Sequence, residues 1–98
     1  MSITSIEAVE LGMGPQGKVA KVVIYDNKYP PVSIDRREAI NRARAITGMD
    51  ERGLELAEMF LMAANRAKEI ETGTGYASES FHGLRKAMKI EQTRRMAQ

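Results

Sequence analysis

The side chains that carry out catalysis are sparse in this sequence and do not form a recognisable set. There is no cysteine, so thiolate nucleophiles and thiolate metal sites are excluded. His82 is the only histidine, and it has neither a nucleophile to activate nor a second imidazole at metal-ligand spacing. The acidic pairs Glu55/Glu58 and Glu69/Glu71 fit a helix surface better than an acid–base pair, which needs differently tuned environments. We therefore predict that the protein is not an enzyme and uses no metal or cofactor.

A glycine-rich segment offers backbone rather than side-chain chemistry. Gly12, Gly14 and Gly17, followed by Val19, have the spacing G-x-G-x-x-G-x-V. The segment resembles the loop that covers the ATP phosphates in protein kinases, where glycine lets backbone amides approach a phosphate. A kinase also needs a lysine on a third strand and two aspartates, which cannot be placed here, and a dinucleotide site would need the glycines to open a helix. We interpret the segment as a hairpin loop and keep a phosphate ligand as the alternative.

A second glycine pair, Gly73 and Gly75, precedes a predicted helix. Free amides at the start of a helix can hold an anion, and the hydroxyl groups of Thr74, Ser78 and Ser80 could add to such a site. The simpler interpretation is a connection between two helices. These glycines therefore join the candidate phosphate ligands only as an alternative.

Arginines form the third group with binding chemistry. Arg37 and Arg44 lie seven residues apart on one predicted helix, and Arg85 lies in a C-terminal segment, residues 83–98, with five basic residues and one acidic residue. Such faces can bind phosphate groups or nucleic acid. A net charge of only +2 and only five aromatic residues disfavour a nucleic-acid interface. Nucleic-acid binding is therefore kept as the second alternative.

Length and composition indicate one ordinary folded domain. The chain has 98 residues, of which 43% are hydrophobic and 29% charged. The N-terminus carries Glu7 and Glu10 and no basic segment, so no secretory signal is predicted. The longest apolar run, residues 59–64, is far shorter than the roughly 20 residues that span a bilayer. We expect a cytoplasmic protein without a membrane partner.

Two segments rich in isoleucine and valine, residues 3–11 and 18–25, predict β-strands. The second is apolar on both faces, which indicates cover on both sides or a face left for a partner. The first requires a bulge near residues 5–7 to bring its apolar side chains together. Residues 29–32 predict a short third strand at a sheet edge, because neither Pro30 nor Pro31 can donate to a ladder.

Helical patterns occupy the rest of the chain. Asp35 and Glu38 have capping-box spacing, so a first helix is expected to begin there and to end at Gly48. Asp50 is expected to cap a second helix that runs to about Glu71. Its wide apolar face indicates a central helix or an oligomer interface.

A third helix is expected to open at Ser78 or Ser80, with an apolar stripe that fades beyond Ile90. The predicted fold is therefore α+β, with an N-terminal antiparallel β-hairpin of two or three strands followed by three helices. We predict a single domain over 1–98, with a hairpin unit at 1–33, a helical unit at 34–98 and a tail at 91–98 that frays.

Apolar side chains on the second and third helices form the candidate interface. The second helix has a broader apolar face than a half-buried helix needs, and seven methionines could supply an adaptable contact surface or fill an irregular core. A second copy of the chain or another protein could cover this surface. The candidate interface residues are Met59, Phe60, Met62, Phe81, Leu84 and Met88.

The N-terminal half also resembles a family of short bacterial and phage domains of unknown function, which have a hairpin with G-K-I/V and a helix start S-x-x-E-A-I. The matching residues are Ile3-Thr4, Gly17-Lys18-Val19, Val22-Val23-Ile24, Asp26-Asn27-Lys28, Ser33, Glu38-Ala39-Ile40 and Ala43. Ser33 departs from the pattern, as it lies five rather than three residues before Glu38. The resemblance implies a fold and no activity, and it would suit a phage or mobile-element accessory protein.

The leading hypothesis is a small non-enzymatic binding protein that acts through helix surfaces on a protein partner and forms a homo-oligomer. Binding of a nucleotide or another phosphate ligand at the glycine loops is the first alternative. Nucleic-acid binding by the basic helices is the second.

Overall fold

The computed structural model describes residues 3–48, 50–76 and 78–97, and only the backbone of residues 78–80. No helix in these ranges is long and apolar enough to cross a membrane. The predicted α+β fold, an antiparallel N-terminal sheet followed by three helices, is confirmed. In chain order the elements are β1 (Ile3–Gly14), β2 (Gly17–Asp26), β3 (Val32–Ile34), α1 (Arg36–Ile46), α2 (Gly53–Thr72) and α3 (Ser78–Met96).

The three strands form an antiparallel sheet with β2 in the middle. Gly14 pairs with Gly17, so Pro15 and Gln16 make a tight turn between β1 and β2. Gly17 has φ 118°, a conformation that glycine adopts without a steric penalty. The glycine-rich segment is therefore the end of a long hairpin.

The predicted bulge in β1 occurs slightly earlier than residues 5–7, and a second irregularity follows. The register shifts once at Thr4, between Ile3 and Ser5, and again between Glu10 and Gly12. The first shift brings Ile3 to the same buried side as Ile6, although the two are an odd number of residues apart.

The third strand begins later than predicted, at Val32 rather than at residue 29. Pro30 and Pro31 lie just before it, where no ladder hydrogen bond is required of them. The strand pairs only with Val22–Ile24 of β2. The earlier part of β2 therefore has β1 on one side and no strand on the other among the described residues.

The predicted start of the first helix is confirmed. The carboxylate of Asp35 accepts a hydrogen bond from the backbone N–H of Glu38 at 2.7 Å, which satisfies one of the free donors of the first turn. Only Ala39 and Ala43 of α1 are buried. Ile40 and Ile46 of the same helix are half-buried and pack against the core.

The predicted cap of the second helix is wrong. Asp50 accepts from the N–H of Arg52 at 2.9 Å and so stabilises the turn before the helix, whereas α2 begins at Gly53 without a side-chain cap. The far end is close to the prediction. The helix ends at Thr72, and Gly73 adopts a left-handed conformation with φ 86°.

The wide apolar face of α2 is covered within the chain. The helix packs on the inner face of the sheet, along α1 and beside α3. Its buried residues are Gly53, Leu56, Ala57, Phe60, Leu61, Ala63, Ala64 and Ala67. The face is broad because α2 contacts the sheet, α1 and α3 at the same time. The α2 helix is therefore the central element of the core.

The third helix continues through most of the segment that was predicted to fray. Gln92 is buried, and its side-chain amide donates to the carbonyl of Asp50 at 3.0 Å. Arg95 donates to the carbonyl of Thr47 at 3.1 Å. These bonds attach the last turns of α3 to the connection between α1 and α2, and the helix extends to Met96.

Adjacent residues of α2 provide a test of this arrangement. Leu61 is fully buried, whereas Met62 is 64% exposed. We expect Leu61→Ala to lower the free energy of unfolding by about 3–5 kcal/mol, because it removes apolar contacts and leaves a cavity. Met62→Ala, the matched control, is expected to change it by less than about 0.5 kcal/mol. Urea denaturation measures both, and similar losses would contradict the placement of α2.

Candidate functional site

A groove runs along the side of β2 that β3 leaves free. It consists of two adjoining depressions of about 460 and 380 Å³, which share Val19, Arg36 and Glu71. We call it the β2-edge groove. Its lining comprises residues 14–21, 35–37 and 71–72 together with Ile40 and Tyr76.

One wall of the β2-edge groove is unpaired backbone. Residues 17–21 of β2 form ladder pairs with β1, but the pairing with β3 begins only at Val22. In a strand, N–H and C=O groups point alternately to the two sides, so some of those in residues 17–21 point away from β1. No side chain of the described residues forms a hydrogen bond with this edge. The groove therefore presents free backbone donors and acceptors.

The opposite wall is held by a network of polar side chains from three segments. Arg36, at the start of α1, donates through Nε to Glu71 near the end of α2 at 2.9 Å. Its Nη1 lies 3.4 Å from the hydroxyl oxygen of Tyr76. The side chains of Arg36 and Glu71 are 33% and 25% exposed, so the pair is partly shielded from water.

The surroundings of Tyr76 fix its ring at the end of the groove. The ring stacks on Phe81 with centroids 5.5 Å apart, and Lys68 Nζ lies 4.5 Å from its centroid.

Burial alone would lower the pKa of Arg36, but the hydrogen bonds and the attraction of Tyr76 and Glu71 raise the pKa above its ordinary value. Arg36 is therefore a permanent charge that positions the wall.

The unneutralised charge of the groove is positive. Lys21 is half-buried and Arg37 is exposed, and neither has an ion-pair partner within 4.0 Å among the described residues. Arg36 is neutralised by Glu71, and the carboxylate of Asp35 caps α1. The groove is thus suited to a ligand that combines an extended backbone with negative charge.

The structure brings together some of the predicted phosphate ligands and separates the others. Gly14, Gly17 and Arg37 line the groove. Gly12 lies further along β1 and Arg44 lies in the last turn of α1, both outside the lining. Gly14 and Gly17 pair with each other across the hairpin, and Pro15 has no N–H. Few amides are therefore left to converge on a phosphate.

The remaining candidate ligands have structural surroundings of their own. Gly73 ends α2, and its N–H donates to Glu69. Gly75 packs so closely on Asn65 that a Cβ would lie 2.5 Å from the Asn65 amide oxygen. Arg85 faces Glu58 of α2 at 3.6 Å. None of the three lines the β2-edge groove.

The candidate interface residues divide by exposure. Phe60 and Met88 are buried in the core of the chain, so they offer no accessible surface. The side chains of Met59, Phe81 and Leu84 are half-buried and pack against the same core. Met62 alone of the six is exposed. The structure therefore leaves no broad apolar patch at these positions.

The basic C-terminal segment is largely compensated by acidic neighbours. Arg94 and Arg95 both donate to Glu91, at 2.6 and 2.8 Å, and the hydrogen bond from Arg94 and then that from Arg95 lower the pKa of Glu91. Lys89 lies 4.0 Å from Glu58. Fewer cations are thus available to phosphate groups than the composition indicates.

Three groove residues, Arg36, Glu71 and Tyr76, were not predicted to meet in one site. They meet although 35 and 40 residues separate Arg36 from the other two. A clue was present in the Asp35–Glu38 capping box, which starts α1 directly after β3 and so leaves residues 17–21 of β2 without a strand on that side.

The remaining chemistry is sparse. No group of three or more histidine, cysteine, aspartate or glutamate residues in the described ranges could hold a metal ion. No family model matches the chain, and no curated protein or solved structure shows a significant match to it. The geometry of the β2-edge groove is therefore the basis for a functional assignment.

The Arg36–Glu71 pair gives a prediction about the groove wall. Glu71→Gln is expected to lower the free energy of unfolding by about 1–2 kcal/mol, because it weakens a charge-assisted bond in a partly buried place. Glu55→Gln is the control, since that carboxylate is 67% exposed and 4.0 Å from Arg52, and it should cost less than about 0.5 kcal/mol. Equal effects in urea denaturation would contradict a structural role for the pair.

Proposed function

We propose that this chain is a small non-enzymatic binding protein that takes an extended segment of a protein partner as an added strand along residues 17–21 of β2. The observation that carries the proposal is the half-paired central strand. Its ladder with β3 covers only Val22–Ile24, and residues 17–21 of the same edge face the β2-edge groove. Strand addition supplies affinity through backbone hydrogen bonds and specificity through alternate side chains.

The dimensions of the free edge set the length of the segment. Five strand residues extend about 17 Å at roughly 3.4 Å per residue. A bound segment would lie in line with β3 and continue its side of the sheet. The partner therefore needs about five extended residues that are accessible outside its own fold.

The side chains of the groove set the chemistry of the segment. Ala20 and Ile40 offer an apolar wall toward the core, while Lys21 lies on the other face of β2 and Arg37 adds a second free cation. Residues of the bound strand that point inward should be apolar, and a residue opposite Lys21 should be acidic. The favoured partner carries alternating apolar and acidic residues.

Lys21 has a second effect on specificity. Natural proteins place lysine on exposed strand edges to discourage uncontrolled pairing with other strands. An acidic segment is attracted to Lys21. An uncharged strand would instead remove water from Lys21 without replacing its interactions, and a basic strand would be repelled by it. The same charge that protects the edge thus selects the partner.

This proposal moves the contact from the helix surfaces to the sheet edge. The wide face of α2 is used inside the chain, and the hairpin glycines leave few amides for a nucleotide. An accessory role on a phage or mobile-element protein is compatible with strand addition. It requires only a partner with an exposed extended segment.

A titration of ¹⁵N-labelled protein with synthetic peptides tests the binding mode. The probe is an acetylated and amidated peptide of alternating valine and glutamate, and the controls are the valine–lysine peptide and ATP. We expect the acidic peptide to shift the amide signals of residues 17–21 and to slow hydrogen exchange of the edge amides. Shifts with ATP alone, shifts confined to α3, or equal binding of the two peptides would contradict the proposal.

Two arginines on one helix provide the matched variants. Arg37→Glu reverses a charge in the groove and is expected to weaken binding of the acidic peptide about tenfold, which corresponds to about 1.4 kcal/mol. Arg44→Glu reverses the charge of an exposed residue outside the lining and should change the Kd less than about twofold. Circular dichroism melting checks that both variants fold. Equal weakening by both would indicate a general charge effect and would remove the groove from the proposal.

A further inference from the structure

The sheet has a second face that no helix covers within the described ranges. The side chains of Ala20, Val22 and Ile24 point toward the helices and are buried. Strand alternation places the odd residues of β2 on the opposite side. We call this side the open face. It carries Ser5, Glu7 and Val9 of β1, Val19, Lys21, Val23 and Tyr25 of β2, and Ser33 of β3.

The open face is more apolar than an exposed sheet face requires. Antiparallel sheets with one solvated face normally alternate apolar and polar residues. Here Val9, Val19, Val23 and Tyr25 are only half-buried, and none of them belongs to the core or to the side chains packed against it. Packing within the described residues therefore does not explain why these four positions are apolar.

The open face carries one charge of each sign. Glu7 pairs in register with Val23, and Lys21 pairs with Val9, so the two charged residues are diagonal neighbours on adjacent strands. Within the described residues, neither has an ion-pair partner within 4.0 Å. A two-fold axis that exchanges the two positions would place Glu7 of each copy opposite Lys21 of the other.

We infer that two copies of this chain associate through their open faces in an isologous dimer. Val23 and Val9 would lie near its centre, and two Glu7–Lys21 pairs would set its register. Two packed sheets lie about 10 Å apart. The contact leaves the backbone edge of β2 at the side of the sandwich, so each copy keeps the free edge of residues 17–21 and the cation Arg37, while Lys21 pairs with Glu7 of the partner subunit.

The size of the face sets the strength of the dimer. Three strands at about 4.8 Å spacing give a narrow surface, smaller than the roughly 800 Å² per partner of a standard interface. The dimer is therefore weak and should form over the micromolar to millimolar range of protein concentration. Charge complementarity then decides the register and the choice of partner.

Charge reversal tests the inference directly. Sedimentation equilibrium is measured from about 10 μM to 1 mM for the native chain, Glu7→Lys, Lys21→Glu and the variant with both changes. Each single reversal places like charges opposite each other twice and should weaken the dimer at least about tenfold, a loss of about 1.4 kcal/mol or more. The double reversal restores two opposite-charge pairs and should return the Kd to within about threefold of the native value.

Glu51→Lys is the control, because Glu51 is exposed in the connection before α2, away from the open face. It should leave the dimer Kd unchanged. A native chain that stays monomeric at 1 mM overturns the inference, and so does a double reversal as weak as the single ones. The Arg37→Glu peptide titration is independent of this result, so failure of the dimer and failure of the groove are separate outcomes.

Discussion

The close packing of α2 against the inner face of the hairpin is the interaction on which the other elements depend. The core combines small residues of α2, with Ala57, Ala64 and Ala67 fully buried, with larger side chains of the sheet such as Val22 and Ile24. Small side chains let the layers approach closely, and the backbone extends only 14 Å along the shortest axis of the molecule. Larger residues at these positions would overpack the core and push the layers apart.

The same close packing accounts for the β2-edge groove. The α1 helix also buries only alanines, and it begins within two residues of β3 because Asp35 caps it at once. The chain therefore leaves the sheet plane after three paired residues. The start of α1 then stands beside the free edge of β2, and the Arg36–Glu71 bond fixes the distance between α1 and the end of α2.

Local signals in the sequence predicted the parts of the fold that depend on neighbouring residues. The Asp35–Glu38 spacing predicted the start of α1, the turn residues predicted the hairpin, and apolar periodicity predicted α2. The error at Asp50 has a local cause, because aspartate stabilises a turn as readily as a helix start, and here it accepts from Arg52 within the turn. The prediction of a frayed tail beyond residue 90 did not take into account the hydrogen bonds of Gln92 and Arg95, whose partners lie more than 40 residues away. The groove depends on contacts of the same long range, so no motif marks it.

The alternation of β2 explains how one strand can serve the core and two outer surfaces. Its even residues from Ala20 to Ile24 are buried under the helices, so packing dictates their size and apolar character. Its odd residues do not pack in the core, yet three of the four from Val19 to Tyr25 are apolar. The backbone between them points sideways, to β1 on one side and to the groove on the other. An added strand and a second sheet would thus contact β2 in perpendicular directions. Lys21 is the residue that both surfaces share, because its side chain lies on the open face while its backbone lies on the free edge.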